Sequence, residues 1–154
     1  MHDLIDATGG PQLQQVRELF REYARWVNEP CCFASFEQEL AGLPGEYAPP
    51  GGRLLLALAD GVPAGCVALR NFDAGRSEMK RLYVRPASHG QGLGKHLAQA
   101  AIEAARAAGS HTLLLDTLPK MTAAIALYRV LGFAPRGPYS SRPTPGAVFF
   151  ELQL

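Results

Sequence analysis

The run from Glu78 to Ala108 constrains this chain more than any other. It reads E-M-K-R-L-Y-V-R-P-A-S-H-G-Q-G-L-G-K-H-L, then A-Q-A-A-I-E-A-A-R-A-A. Met79 to Val84 is a short β-type run that ends against Pro86, whose ring biases Arg85 toward extended geometry. Gly90, Gly92 and Gly94 come next, at every second position. Leu93, Leu97, Ala101, Ala104 and Ala108 then recur three or four apart, which is one face of a helix. Strand, glycine loop and helix in succession bind phosphates well. Bare backbone lets a diphosphate approach, and the first-turn amides with the helix dipole supply positive potential.

Two familiar phosphate loops fail on their spacing. A Walker loop needs Ser or Thr after Gly-Lys, but Gly94-Lys95 is followed by His96, and Gly90 is not the required first glycine. A dinucleotide fingerprint begun at Gly90 or Gly92 needs Gly or Ala at Lys95 or Leu97. His89-Gly90-Gln91-Gly92-Leu93-Gly94 instead resembles the acyl-CoA loop of the GNAT N-acetyltransferases, Arg/Gln-x-x-Gly-x-Gly/Ala, with His89 in place of the usual first residue. The later segments L-L-L-D-T and A-I-A-L-Y-R-V-L-G-F are similar to the family's segment after the acyl-CoA helix. The matched pieces span residues 78–134.

Residue order supports the same fold. Residues 3–7 form a weak strand, and Pro11 opens a helix with Leu13, Val16, Leu19, Phe20, Tyr23 and Val27 on one side. Pro30 and the Cys31-Cys32 pair interrupt it. A shorter helix is expected over 35–43, with Ser35 and Gln38 as a capping box. A turn-rich connection through Pro44, Gly45, Pro49, Pro50, Gly51 and Gly52 reads as a segment able to cover a site. Arg53 to Ala59 is a strand, Asp60-Gly61 a hairpin turn, and Pro63 to Arg70 the return. Asn71 to Arg76 reads as a turn into the strand near Glu78. Gly109 caps the glycine-loop helix, and Thr112 to Asp116 is a strand. Pro119 begins a helix with Ala124, Leu127, Tyr128 and Leu131 on one face, stopped by Gly132. Phe133 and Ala134 start a strand that Pro135 and Pro138 break, and Ala147 to Leu154 supply the last strand. The order β-α-α-β-β-β-α-β-α-β-β predicts an α/β (α+β) fold. Its sheet is mixed and mainly antiparallel, with helices on both faces.

Length and composition bound the alternatives. The 154 residues suit a single domain over residues 1–154, and a formal net charge of +1 gives no reason to expect nucleic acid or a membrane surface as partner. No apolar run reaches the roughly 20 residues of a membrane helix, and the acidic start M-H-D-L-I-D-A has no signal-like region, so a cytoplasmic protein is expected. Cys31, Cys32 and Cys66 are an odd count that argues against a disulfide framework. The adjacent pair reads either as small buried residues or as reactive thiols. His2, His89, His96 and His111 make no metal-binding pattern, so no metal is expected.

The resemblance implies an enzyme that transfers acetyl from acetyl-CoA to a primary amine, expected to be a small molecule, by direct attack in a ternary complex. An acyl-CoA-binding regulatory protein of the same fold is the alternative. Carried over residue by residue, the cofactor's pantetheine would lie along Leu82, Tyr83 and Val84, with the Leu82 N–H polarising the thioester carbonyl. Its phosphates would meet His89, Gly90, Gln91, Gly92, Leu93, Gly94 and Lys95. Tyr128 matches the family's general acid, a phenol whose ordinary pKa of about 10 lies near that of a thiol. Its other reading is a core aromatic. Glu78 stands where some members keep the base; otherwise it is a strand-end charge paired with Lys80 or Arg81. Alternation places Glu78 on the face of Lys80, Leu82 and Val84 unless a bulge intervenes. Met121 replaces a frequent asparagine, Lys120 and Thr122 are either phosphate contacts or solvated helix-start residues, and Asp116 reads as a strand-end or cap residue rather than a catalytic acid. The acceptor region would draw on Trp26, Cys31, Cys32, Phe33, Phe36, Tyr47, Tyr139 and Arg142. Family members commonly pair, so a homodimer is among the partners expected.

Overall fold

The computed structural model describes residues 2–28 and 35–154; Cys31, Cys32, Phe33 and the expected break at Pro30 lie outside the described residues. Seven strands are described: β1 (His2–Asp6), β2 (Arg53–Ala59), β3 (Val62–Asp73), β4 (Arg76–Val84), β5 (Thr112–Thr117), β6 (Ala134–Arg136) and β7 (Val148–Gln153). The helices are α1 (Pro11–Val27), α2 (Phe36–Ala41), α3 (Leu93–Ala107) and α4 (Thr122–Val130). The strands form one sheet in the order β1-β2-β3-β4-β5-β7-β6. Among the described strands only the β4–β5 pair is parallel. The mixed, mainly antiparallel sheet and the element order are as the sequence predicts.

Two apolar layers sandwich this sheet. On one face Val16, Leu19 and Phe20 of α1 and Leu40 of α2 pack on Leu54, Leu56, Cys66 and Ala68. On the other, Leu97, Ala101 and Ala105 of α3, with Tyr128 of α4, pack on Leu55, Val67, Leu69, Leu113 and Leu115. The consecutive leucines of β2 and β5 are therefore buried on both faces, which is why they read as unbroken apolar runs. Pro135 is accommodated because β6 forms the sheet edge.

Local chemistry sets the boundaries. Asp60 and Gly61 both take positive φ (51° and 82°), the turn that Asp-Gly favours. Three expectations are corrected. Ser35 adopts left-handed backbone and makes no side-chain cap, so α2 begins at Phe36 without a capping box. The expected turn over 71–76 shrinks to Ala74-Gly75, because β3 continues to Asp73, where the Asp73 carboxylate pairs with the Arg76 guanidinium. The helix expected from Pro119 begins at Thr122. Among the described residues no helix is long and apolar enough to cross a membrane.

One irregularity governs the site. Opposite β3, Ala68 pairs with Lys80 but Cys66 pairs with Tyr83, so β4 holds one extra residue in this stretch. Arg81 takes it up at φ 60°, a left-handed backbone that a bulge requires and a side chain resists. It is held there by its own side chain. The Arg81 guanidinium donates to both Glu39 oxygens (3.0 and 2.8 Å) and lies 5.6 Å from the Phe36 ring centre. Because one residue is added, the alternation inverts. Glu78 and Lys80 share the α1 face with Tyr83, while Leu82 and Val84 join Met79 against α3.

Candidate active site

Beyond Glu78, before the bulge is reached, β4 and β5 separate. They pair only from Arg76↔Thr112 to Glu78↔Leu114, and a cavity of about 280 Å³ opens where the pairing stops. Tyr23 and Val27 border it from α1, Tyr128 from α4, and Glu78, Lys80, Leu82 and Asp116 from the diverging strands. The opening thus runs between the two faces of the sheet.

Leu82 lines this opening, and the backbone N–H groups of Leu82 and Val84 turn away from β3. Arg85 N–H donates to Ala64 O (2.8 Å), so in the antiparallel ladder the amides of residues 83 and 85 point to β3 and those of 82 and 84 away from it. Tyr83 is thereby turned to the other layer, where its hydroxyl donates to Glu22 (3.3 Å) and its ring lies 5.8 Å from that of Tyr23. Glu22 also accepts from Arg85, whose guanidinium beside it holds its carboxyl below the ordinary range.

The glycine loop fits a diphosphate. Gly90 and Gly92 take φ of 79° and 76°, and a side chain's first carbon at either would point into open space, so nothing of the protein fills the approach. Gly92 caps α3, leaving the amides of Leu93, Gly94 and Lys95 without helical acceptors. His89 is committed locally: its Nε2 donates to Val84 O (2.8 Å) and so anchors the loop to the strand. Gln91 Oε1 lies 3.0 Å from His2 Nε2. Lys120 turns away and donates to the Val27 carbonyl at the end of α1.

Glu78 is only 4% exposed, and so is not a solvated strand-end charge. Arg70, its partner directly across β3, donates Nε–H to Oε1 at 2.7 Å, and Tyr139 donates its hydroxyl to Oε2 at 2.6 Å. Lys80 Nζ stands 4.0 Å from Oε1. Tyr139 is wedged edge-on between Phe72 and Phe149, and burial beside Glu78 pushes its phenol up. Tyr128 lies against Phe133 and Phe150 (ring centres 5.6 and 6.2 Å), so its core role is real, and it also lines the cavity. Burial, with Tyr23 and Asp116 nearby, pushes its phenol up from the ordinary value. It therefore keeps its proton until a strong base appears.

Asp116 stands near the end of β5, as strand-end reasoning has it, and it also lines the cavity. It lies in β5 two residues beyond Leu114, the partner of Glu78, and so shares the face of Glu78 and Lys80. Burial pushes its carboxyl up, Lys80 pulls it down and Glu78 raises it. The parallel register that makes these residues neighbours has no local sequence signal. Of the expected acceptor residues, Tyr139 and Arg142 reach the site. Tyr47 is instead core, edge-on to Phe20, and Phe36 packs against the α1–α2 layer. Trp26 is exposed and tilted over Tyr23.

Residues 13–133 match the model of the acetyltransferase (GNAT) family. An uncharacterized N-acetyltransferase of Schizosaccharomyces pombe is 37% identical, over 97% of this chain and 94% of its own length. An IAA acetyltransferase of Azospirillum brasilense is 39% identical over the whole of both chains. An N-acetyltransferase of Thermoplasma acidophilum, solved in complex with coenzyme A, shares the fold. Its TM-score is 0.80 at 17% identity, over 100% of this chain and 99% of that one. With the family pattern running from α1 past α4 and relatives matching end to end, the chain belongs to the GNAT family and is an N-acetyltransferase that uses acetyl-CoA.

Proposed function

We propose that this protein, as one domain in the cytoplasm, moves the acetyl group of acetyl-CoA onto a primary amine of a small molecule. Attack is direct, within a ternary complex. The observation that carries this reading is the parting of β4 from β5 beyond Glu78 and Leu114, with Tyr128 on one side of the opening and carboxylates on the other. The amides of Leu82 and Val84 suit the pantetheine arm, and the Leu82 N–H suits the thioester oxygen. The bare backbone of Gly90 to Gly94 and the amide of Lys95 suit the diphosphate. Tyr128 is the proton donor to the departing sulfur. Its raised pKa disfavours transfer to a solvated thiolate, but a thiolate forming in the same buried cavity is desolvated too and gains basicity. The polar lining and volume of about 280 Å³ suit a compact acceptor better than a folded one.

Calorimetric titration tests the cofactor site: acetyl-CoA should bind and a thioester lacking the 3′-phospho-ADP portion should not. Release of free thiol is then followed against a panel of small primary amines. Binding of neither compound would remove the loop assignment. Equal failure of every amine alongside acetylation of a protein substrate would overturn the acceptor class. A homodimer belongs to the same proposal, and sedimentation of the full chain decides it.

A further inference from the structure

We infer that Asp116, rather than Glu78, takes the proton from the acceptor amine, and that Glu78 is a positioning residue. This rests on the amine-acetylation reading above. Glu78 is occupied. One oxygen accepts from Arg70 at 2.7 Å and the other from Tyr139 at 2.6 Å, so both oxygens already have partners. Its arrangement does other work. It joins β3 to the segment between β6 and β7, so that Tyr139 is fixed beside the cavity.

Asp116 has the opposite environment. It lines the same cavity, and its carboxylate is met by its own backbone N–H while no side chain among the described residues donates to it. It lies one pleat further into the opening than the partner of Glu78, on the side where β4 has parted from β5. The charged and titratable groups around the cavity are Glu78, Lys80 and Arg81 of β4, Arg70 of β3, Tyr128 of α4, Tyr23 of α1, and Tyr139 and Arg142 before β7. Arg70 and Arg81 are already paired, to Glu78 and Glu39. Burial raises Asp116 toward the range in which a carboxylate is a useful base.

In the transfer itself, an ammonium N–H bond breaks and its proton goes to the Asp116 carboxylate. The nitrogen lone pair then forms the C–N bond at the thioester carbonyl, and the C–S bond breaks with its electrons on sulfur. Tyr128 supplies the thiol proton. The nitrogen loses two protons altogether, one replacing that of Tyr128 and one leaving Asp116 for solvent, so one proton is released per acetyl group moved.

Asp116→Asn, Glu78→Gln and Tyr139→Phe are compared in the full chain, each first titrated with acetyl-CoA, where affinity within about threefold of wild type is expected. Wild-type turnover of an amine from the panel shows that the acetylation reading stands. Against that amine, Asp116→Asn should lose at least about 100-fold in kcat/KM at pH 7, an ordinary loss for a missing base. The deficit should shrink as pH rises and free amine accumulates. Tyr139→Phe and Glu78→Gln should raise KM more than they lower kcat and leave the pH midpoint unmoved. An unaltered pH profile in Asp116→Asn, or a shrinking deficit in Glu78→Gln alone, would overturn the assignment. Carboxyl-carbon NMR of the wild-type protein needs no acceptor. Asp116 should titrate above the roughly 3.9 of a free aspartate, and a midpoint at or below it also overturns the proposal. Should wild type acetylate no amine, the functional reading fails, while the titration still judges Asp116.

Discussion

The two duties proposed for Tyr128 conflict in principle, since a core aromatic gains from burial and an acid loses from it. Removing only the hydroxyl separates them. Tyr128→Phe should keep the packing against Phe133 and Phe150 and leave acetyl-CoA affinity nearly unchanged, while turnover falls by at least about tenfold. Equal turnover in both proteins would take Tyr128 out of the reaction. Asp116 offers the complementary test through stability. Its folded pKa lies above the unfolded value, so the folded state binds the proton more tightly and stability falls as pH rises across that interval. The penalty is absent below the unfolded pKa and fully present above the folded one. Asp116→Asn should therefore leave Tm unchanged near pH 3 and raise it near pH 7, which thermal melts at the two pH values decide. A Tm lowered at pH 7 would mean that the carboxylate holds the fold together.

At the scale of elements, strand β4 and the loop after it make the proposed cofactor site, and glycines set its geometry on either side. A side chain at Gly65 would put its first carbon 2.7 Å from Tyr83 O and 3.4 Å from Val84 Cα, so β4 must move. Gly65→Ala should cost about 1–3 kcal/mol by denaturant unfolding and weaken acetyl-CoA binding by displacing Leu82 and Val84. At Gly92 the reverse holds: space is open but the backbone is left-handed. Gly92→Asp should retain most of the fold yet abolish measurable acetyl-CoA binding, because it places bulk and negative charge where the diphosphate approaches.

The range of an interaction decides whether the sequence shows it. The glycine loop, the helix after it and the Asp60-Gly61 turn are legible because their signals are local. The Arg81 bulge is not, since it depends on Glu39, which stands 42 residues away. The facing of Leu82 and Val84 is hidden with it. Asp116 reads as a strand end because its neighbours come from β4 and from the segment before β7, which no periodicity in β5 reports.

For the whole molecule, the seven-stranded sheet is a partition with helices on both sides and one breach between β4 and β5. The glycine loop opens beside α3, whereas Glu78, Lys80 and Asp116 lie toward α1. Reactants that meet through a breach, as proposed, would arrive and leave by separate doors. On the proposed ternary mechanism, coenzyme A left behind after turnover would block the return of acetyl-CoA but not of the amine. Product inhibition by coenzyme A should accordingly be competitive against acetyl-CoA and noncompetitive against the amine, and an inactive complex of coenzyme A with the amine should be detectable by calorimetry. Competition between coenzyme A and both substrates would mean a single entrance. The shape of the sheet, more than any one side chain, then sets how the enzyme slows as its own product accumulates.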